Sequence, residues 1–274
     1  MMRSLLYVPA HSERFIGKAH ERGADAIILD LEDSVPEDAK DEARDSLIDA
    51  VPMVRRGGAT VLVRVNAGEE RQRQDALAAC RSGADALYIP KVQSADAIAG
   101  LASVLEIEEA RSGRPPMRFV ALIEDPASVL NAVAIAAAPR LLGLSLGGED
   151  LALALGATPS PDVLRFPKLL VHYAAKAKGL LSFGLLRSVA DYSDRDGIAV
   201  AAREAREHGF DGATCVHPSV VPLLNSAFAP SSEEQAWARR VLDHAAEREG
   251  AFELDGTMID APVIARAARI MEER

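Results

Sequence analysis

"RGADAIILD" occupies residues 22–30, and its grammar returns as "RSGADALYIP" at 81–90 and "EHGFDGATCV" at 207–216. Each copy leaves a helix, turns on a glycine, passes an aspartate and enters a short apolar run. A glycine ends a helix by adopting the left-handed backbone conformation that side chains resist. A short unbroken apolar run reads as a buried strand, as in a parallel sheet flanked by helices. Working outward, the same kind of run recurs as "SLLYVP" (4–9), "AIILDLE" (26–32), "TVLVRVN" (60–66), "ALYIPK" (86–91), "RFVALIE" (118–124), "LLGLSLG" (141–147), "LLSFGLL" (180–186) and "GATCV" (212–216). Ala-rich amphipathic segments such as "RQDALAACRSGA" and "GIAVAAREAREHGF" separate them, and Gly23, Gly83, Gly179 and Gly209 fall where helices should stop. Eight strands alternating with helices predict a (β/α)8 TIM barrel, since the units fill about 220 residues, near the usual barrel length. A doubly wound open sheet is the competing arrangement. No Gly-rich dinucleotide or phosphate-binding loop follows the first strand.

Composition agrees. Of 274 residues, 49% are hydrophobic but only 4% aromatic, so the core must be Ala, Val, Leu and Ile, which suits helices on a parallel sheet. The net charge of -10 and the lack of a basic run argue against nucleic acid as a partner. Cys80 and Cys215 have no metal-type spacing and read as buried small residues in a reducing compartment. No window is long enough to span a membrane, and the N-terminal apolar stretch is too short for a signal peptide. A cytoplasmic location is the expectation.

The expected division is a barrel over 1–228 and a C-terminal helical extension over 229–274. "SSEEQAWARRVLDHAAEREG" opens with a capping signature and predicts a long helix. "AFELDGTMIDAPVIARAARIMEER" predicts a loop containing Asp-Gly and then a terminal helix. A barrel does not need this extension, so it should pack on a neighbouring chain or close one face.

In a barrel the C-terminal ends of the strands share one mouth. Asp30, Glu32 and Asp33 would reach it from strand two, Arg64 and Asn66 from strand three, and Lys91 from strand four. Glu124 and Asp125 would come from strand five, Glu149 and Asp150 from the loop after strand six. Acids gathered there repel one another unless a cation joins them. Oxygen ligands without His or Cys suit Mg²⁺, or Mn²⁺, and not zinc. Asp125 before Pro126 reads equally as a helix N-cap, and Glu149 as solvated rim. Arg64, between Val63 and Val65, is an inward-facing charge: a ligand-binding group or a buried ion-pair partner. Lys91 could alternatively be a Schiff-base lysine.

"RSLLYVPAHSERFIGKAHERGADAIILDLEDSVPEDAKDEAR" (3–44), "VRVN", "IPKV", "LIED", "GGEDLALALG", "GFDGATCVHPSVV" and "GAFELDGTMIDAPV" occur in this order. Together they resemble citrate lyase β-subunit-like proteins of the HpcH/HpaI aldolase and citrate lyase superfamily, over nearly the whole chain. The resemblance implies a TIM barrel assembled as homotrimers or multiples of trimers, acting with Mg²⁺ on malyl-type CoA thioesters. Carried over motif by motif, it implies Glu124 and Asp150 as metal ligands and Arg64 as the grip on a substrate carboxylate or carbonyl oxygen. Glu32 and Asp33 would hold water around the metal. Asp260, from "MID", would reach a neighbouring subunit's site, and Arg14 and Lys18 would lie near the CoA or substrate. "LYVPA" stands where many members have "LFVPG", "SFG" (182–184) where many have "AID", and "LIED" where "LIET" is commoner. Asp33 replaces the His of the "DxEH" pattern of the pyruvate-type branch, which counts against that branch.

The expected activity is a Mg²⁺-dependent carbon–carbon lyase acting on malyl-CoA or citramalyl-CoA. The alternatives are the citryl-thioester lyase subunit of a citrate lyase complex, a metal-dependent 2-keto-acid aldolase, and a non-catalytic barrel that binds CoA esters.

Overall fold

Eight parallel strands, each at an expected position, alternate with helices: β1 Ser4–Pro9, β2 Ala26–Asp30, β3 Thr60–Arg64, β4 Ala86–Ile89, β5 Arg118–Ile123, β6 Leu141–Leu146, β7 Leu181–Phe183 and β8 Ala213–Cys215. The structure is a computed structural model and describes residues 2–248 and 250–272. Met1, Glu249, Glu273 and Arg274, which the two expected units include, lie outside the described residues. The strands neighbour one another in the order 7-6-5-4-3-2-1-8. A bridge between Phe183 and Gly212 completes the ring, where Gly184 N–H donates to the Gly212 carbonyl at 2.9 Å. This is the (β/α)8 barrel and not the open sheet. All four glycines expected at helix exits have positive φ, from 67° at Gly179 to 93° at Gly209.

The strands read as unbroken apolar runs because both faces are covered. Ile27, Leu29, Val61, Val63 and Leu87 face the surrounding helices. Leu5, Ile28, Leu62, Tyr88, Val120 and Phe183 fill the barrel interior as a second apolar cluster. A strand's period of two carries this interior row upward. Ile28 is followed by Asp30, Leu62 by Arg64 and Leu122 by Glu124, so the row that fills the barrel becomes charged where it reaches the mouth. Among the described residues no helix is long and apolar enough to cross a membrane.

The extension has a small core of its own. Helix Ser232–Ala246 opens on a capping box between Ser231 and Glu234. Its Ala238 and Val241 pack with Ala267 and Ile270 of helix Ala261–Glu272 and with Ile259 just before that helix. The expected loop before that second helix is instead an antiparallel hairpin, β9 Phe252–Leu254 and β10 Thr257–Ile259. Asp255 and Gly256 turn it with φ of 53° and 75°, the pair of left-handed residues that a tight hairpin demands. The extension is tied to its own barrel by Glu234, which takes two hydrogen bonds from Arg206 Nη1 at 2.8 and 2.9 Å. A cavity of about 550 Å³ between them is lined by Phe210, Asp211 and Lys176 on the barrel side. Those residues precede β8 and β7, so the contact lies at the end of the barrel opposite the mouth.

Candidate active site

Asp30 and Arg64 are direct register partners across β2 and β3. Their side chains meet as a two-pronged pair, Nε–Oδ1 2.6 Å and Nη2–Oδ2 2.7 Å. The third guanidinium nitrogen, Nη1, reaches Asp33 at 2.9 Å and Glu32 at 3.2 Å. The guanidinium also stands 4.9 Å from the centre of the Tyr7 ring, and Tyr7 is held edge-on by Tyr88. Burial works against the Arg64 charge, but the Asp30 pair outweighs it and raises the pKa still further. Burial likewise works against the Asp30 carboxylate, and Arg64 holds its pKa below the ordinary range. The result is a permanently charged group fixed at the mouth by contacts on several sides.

Glu124 stands across the mouth and is 5% exposed. Lys91 N–H donates to its Oε2 at 2.7 Å. Lys91 itself takes φ 51°, a left-handed conformation rare for a residue with a side chain. The other oxygen lies against Gly147, where an added Cβ would come within 2.6 Å of Oε1. Asp150 lines the same cavity, and its charge opposes ionisation of Glu124. Burial, reinforced by Asp150 and Glu32 against the Lys91 amide, pushes Glu124 up to about 8. Two carboxyl groups pressed together in a half-buried place are stabilised by a cation between them.

Glu32 is braced from the other side. Its Oε1 takes a bond from Lys91 Nζ at 3.2 Å, and burial raises its pKa against the pull of Arg64 and Lys91. Behind it, buried Lys40 donates to the carbonyls of Leu31 at 3.1 Å and Glu32 at 2.8 Å and to Asn66 Oδ1 at 2.5 Å. Asn66 in turn gives both its amide groups to the fully buried Asp75, at 2.8 Å each. This network fixes the turn that presents Glu32 and Asp33.

A cavity of about 400 Å³ gathers Asp30, Asp33, Arg64, Glu124 and Asp150 on its wall. Glu32 reaches this group through Arg64. Asp125 caps the helix Pro126–Leu130, accepting from Ala127 and Ser128 N–H, and Glu149 is exposed and bonded to Ser188. Asp125 therefore takes the structural role open to it, and Glu149 stands on the rim of the cavity. Arg14 and Lys18 lie on the exposed face of helix Glu13–Ala19, just after β1, and line none of this cavity. Asp260 is not brought there either. Its Oδ1 caps the terminal helix through Val263 N–H at 3.4 Å, and its extension sits on the far end of its own barrel.

Asp30 and Lys91 were expected at the mouth without the contacts they make there, and Lys40 and Lys168 had no sequence assignment. The role of Asp30 follows only from the β2–β3 register. The Lys91 contribution to Glu124 is a backbone one, invisible in side-chain chemistry. Lys40 and Lys168 lie on helices, where a lysine reads as solvated surface. Both are buried, and Lys168 lines the cavity from helix Pro161–Ala177.

Among the described residues no group of three or more His, Cys, Asp or Glu side chains is arranged to hold a metal. Glu124 and Asp150 form a pair, which fits a hard divalent ion that takes one or two protein carboxylates and fills its shell with water and substrate. The fold and this pair define a class: a TIM barrel whose strand ends present carboxylates for a divalent ion beside a fixed arginine. The comparisons agree with that class. The chain matches the HpcH/HpaI aldolase/citrate lyase family over residues 3–218 and belongs to it. It is 35% identical to a citrate lyase subunit beta-like protein of Mycobacterium tuberculosis, across 97% of this chain and 93% of that one. It is 36% identical to a (3S)-malyl-CoA thioesterase of Cereibacter sphaeroides, across 94% and 89%. The crystal structure of the protein CitE from Mycobacterium tuberculosis, in complex with magnesium, acetoacetate and coenzyme A, superposes with a TM-score of 0.82. The identity is 33%, over 98% of this chain and 97% of that one.

Proposed function

We propose that this chain is a Mg²⁺-dependent carbon–carbon lyase. It cleaves a β-hydroxyacyl-CoA thioester of the malyl-CoA or citramalyl-CoA type to acetyl-CoA and a 2-oxo acid. The observation that carries this reading is the buried Glu124, set on one cavity wall with the half-buried Asp150 and with an Arg64 held in a fixed position. The relative that acts on malyl-CoA and the neighbour crystallised with magnesium and coenzyme A support it.

The reaction removes the proton of the β-hydroxyl, breaks the adjacent carbon–carbon bond and leaves the thioester as an enolate. When bound, Mg²⁺ supplies Lewis-acid stabilisation of the substrate oxygens. Glu124 and Asp150 hold the ion, and Glu32 and Asp33 order water around it. Arg64 offers positive charge where oxygen charge changes, and its contacts keep it in place throughout, so no reorganisation accompanies the reaction. Asp260 would protonate the enolate carbon, or deprotonate acetyl-CoA in reverse. Its place on the far end of its own barrel supports an action on an adjacent copy, in a homotrimer or multiple of trimers. Arg14 and Lys18, exposed and four residues apart on one helix, would meet the anionic end of CoA outside the cavity.

The test is a panel of CoA thioesters, with release of glyoxylate, pyruvate or oxaloacetate and of acetyl-CoA measured with Mg²⁺ and with EDTA. Cleavage of malyl-CoA or citramalyl-CoA that stops in EDTA is expected. Undiminished cleavage in EDTA, or none with any thioester, overturns the proposal. Free CoA appearing after acetyl-CoA would add a thioesterase step, as the name of one relative describes.

A further inference from the structure

Among the described residues, Arg64 and Lys168 are the two cationic side chains on the wall of the mouth cavity. They differ in what they already hold. Arg64 is engaged by Asp30, Asp33 and Glu32. Lys168 has no carboxylate partner among the described residues. Its Nζ donates to the Arg187 carbonyl at 2.9 Å, one acceptor for an ammonium with three N–H groups. It is 5% exposed, and its Cε packs beneath Gly148, two residues before Asp150. Burial pushes its pKa down to about 8, against the pull of Glu149. A buried cation with so little compensation is destabilising by itself and becomes favourable when an anion arrives.

We infer that Lys168, and not Arg64, is the group that binds the carboxylate of the 2-oxo acid portion of the substrate. This inference rests on the lyase reading of the site. Arg64 is then left to act on the oxygen at the bond that breaks. The assignment restricts the acyl group to one bearing a free carboxylate near the reacting carbon. A neutral analogue with the same shape forfeits the Lys168 contact.

The experiment measures binding of pyruvate and of its neutral amide, pyruvamide, by calorimetry with Mg²⁺ present. The proteins are the wild type, Lys168→Gln and Lys168→Arg. Glutamine retains a donor for the Arg187 carbonyl but carries no charge. Lys168→Gln is expected to weaken pyruvate about 10–100-fold, the worth of a hydrogen bond to a charged group, and to leave pyruvamide unchanged. Lys168→Arg is expected to keep the wild-type preference for pyruvate. Wild-type affinity for pyruvate in Lys168→Gln overturns the inference while leaving the lyase reading intact. An equal loss for pyruvate and pyruvamide also overturns it, because the lysine then acts only by latching the Arg187 loop. Failure of the wild type to bind either compound counts against the lyase reading itself.

Discussion

The mouth and the C-terminal extension both present carboxylates, and they hold them differently. At the mouth, Asp30, Glu32 and Glu124 are buried and each accepts a hydrogen bond from another strand or loop, at 2.6, 3.2 and 2.7 Å. In the extension, Asp260 is half-buried and makes one 3.4 Å bond to its own helix. Burying a charge is unfavourable without such partners: Arg64 compensates Asp30 in full, whereas burial still raises the pKa of Glu32 and Glu124. The Asp260 carboxylate is placed by local capping alone. In the proposed lyase, Asp260 would need an adjacent copy to complete its role, whereas Glu124 would act within its own barrel.

That contrast breaks first at the metal pair. Glu124→Gln and Asp150→Asn should each lower turnover on the order of 10³-fold or more, because they remove a cation ligand and the stabilisation it brings. Calorimetric titration should show weakened Mg²⁺ binding. For Glu124→Gln the melting temperature without metal should hold or rise, since a buried acid that is hard to ionise has become a neutral amide. A variant that keeps Mg²⁺ affinity and turnover would move the chemistry away from this pair.

The extension gives the next largest effect. Asp260→Ala should lower turnover by about 10²–10⁴-fold, the usual worth of a positioned acid or base. Stability should fall by no more than about 1 kcal/mol, because only a long capping bond is lost. Mixed with Glu124→Gln subunits and reassembled, it should regain activity at about a quarter of the sites, where an intact mouth meets an intact extension. If mass spectrometry shows subunit exchange and the mixture stays inactive, Asp260 does not act across an interface.

Arg64→Lys keeps the charge and loses the planar fork that Asp30 holds. It should cost about 10²–10³-fold in kcat. Near-normal kinetics would assign Arg64 to structure. The smallest effect belongs to Lys40→Met, which leaves Asn66 and two carbonyls without their donor. Chemical denaturation should reveal a loss of about 1–3 kcal/mol. A stability unchanged from wild type would show that the turn carrying Glu32 is fixed by other means.

The barrel was legible because its information is periodic. Helix end, glycine, aspartate and apolar run recur at intervals, and local rules read each one. Arg64 was legible as a charge among valines. Asp30 was seen only as one more acid, since pairing it with Arg64 requires the register between two strands whose sequence order does not display it. Lys40 and Lys168 depended on which face of a helix turns inward at one particular depth. The hairpin of the extension was present in the sequence as Asp-Gly between short apolar runs, and those runs were too brief to read as strands.

Lys91 has a consequence of a different kind. Its amide serves Glu124 and its ammonium serves Glu32, so one position carries two separable instructions, a torsion angle and a charge. Glycine there would preserve the angle and erase the charge. Alanine would erase the charge and retain the strain of a left-handed residue, and proline would delete both instructions. A comparison of side chains alone would score glycine as the most radical of the three, although it is the one that leaves the wall around Glu124 standing.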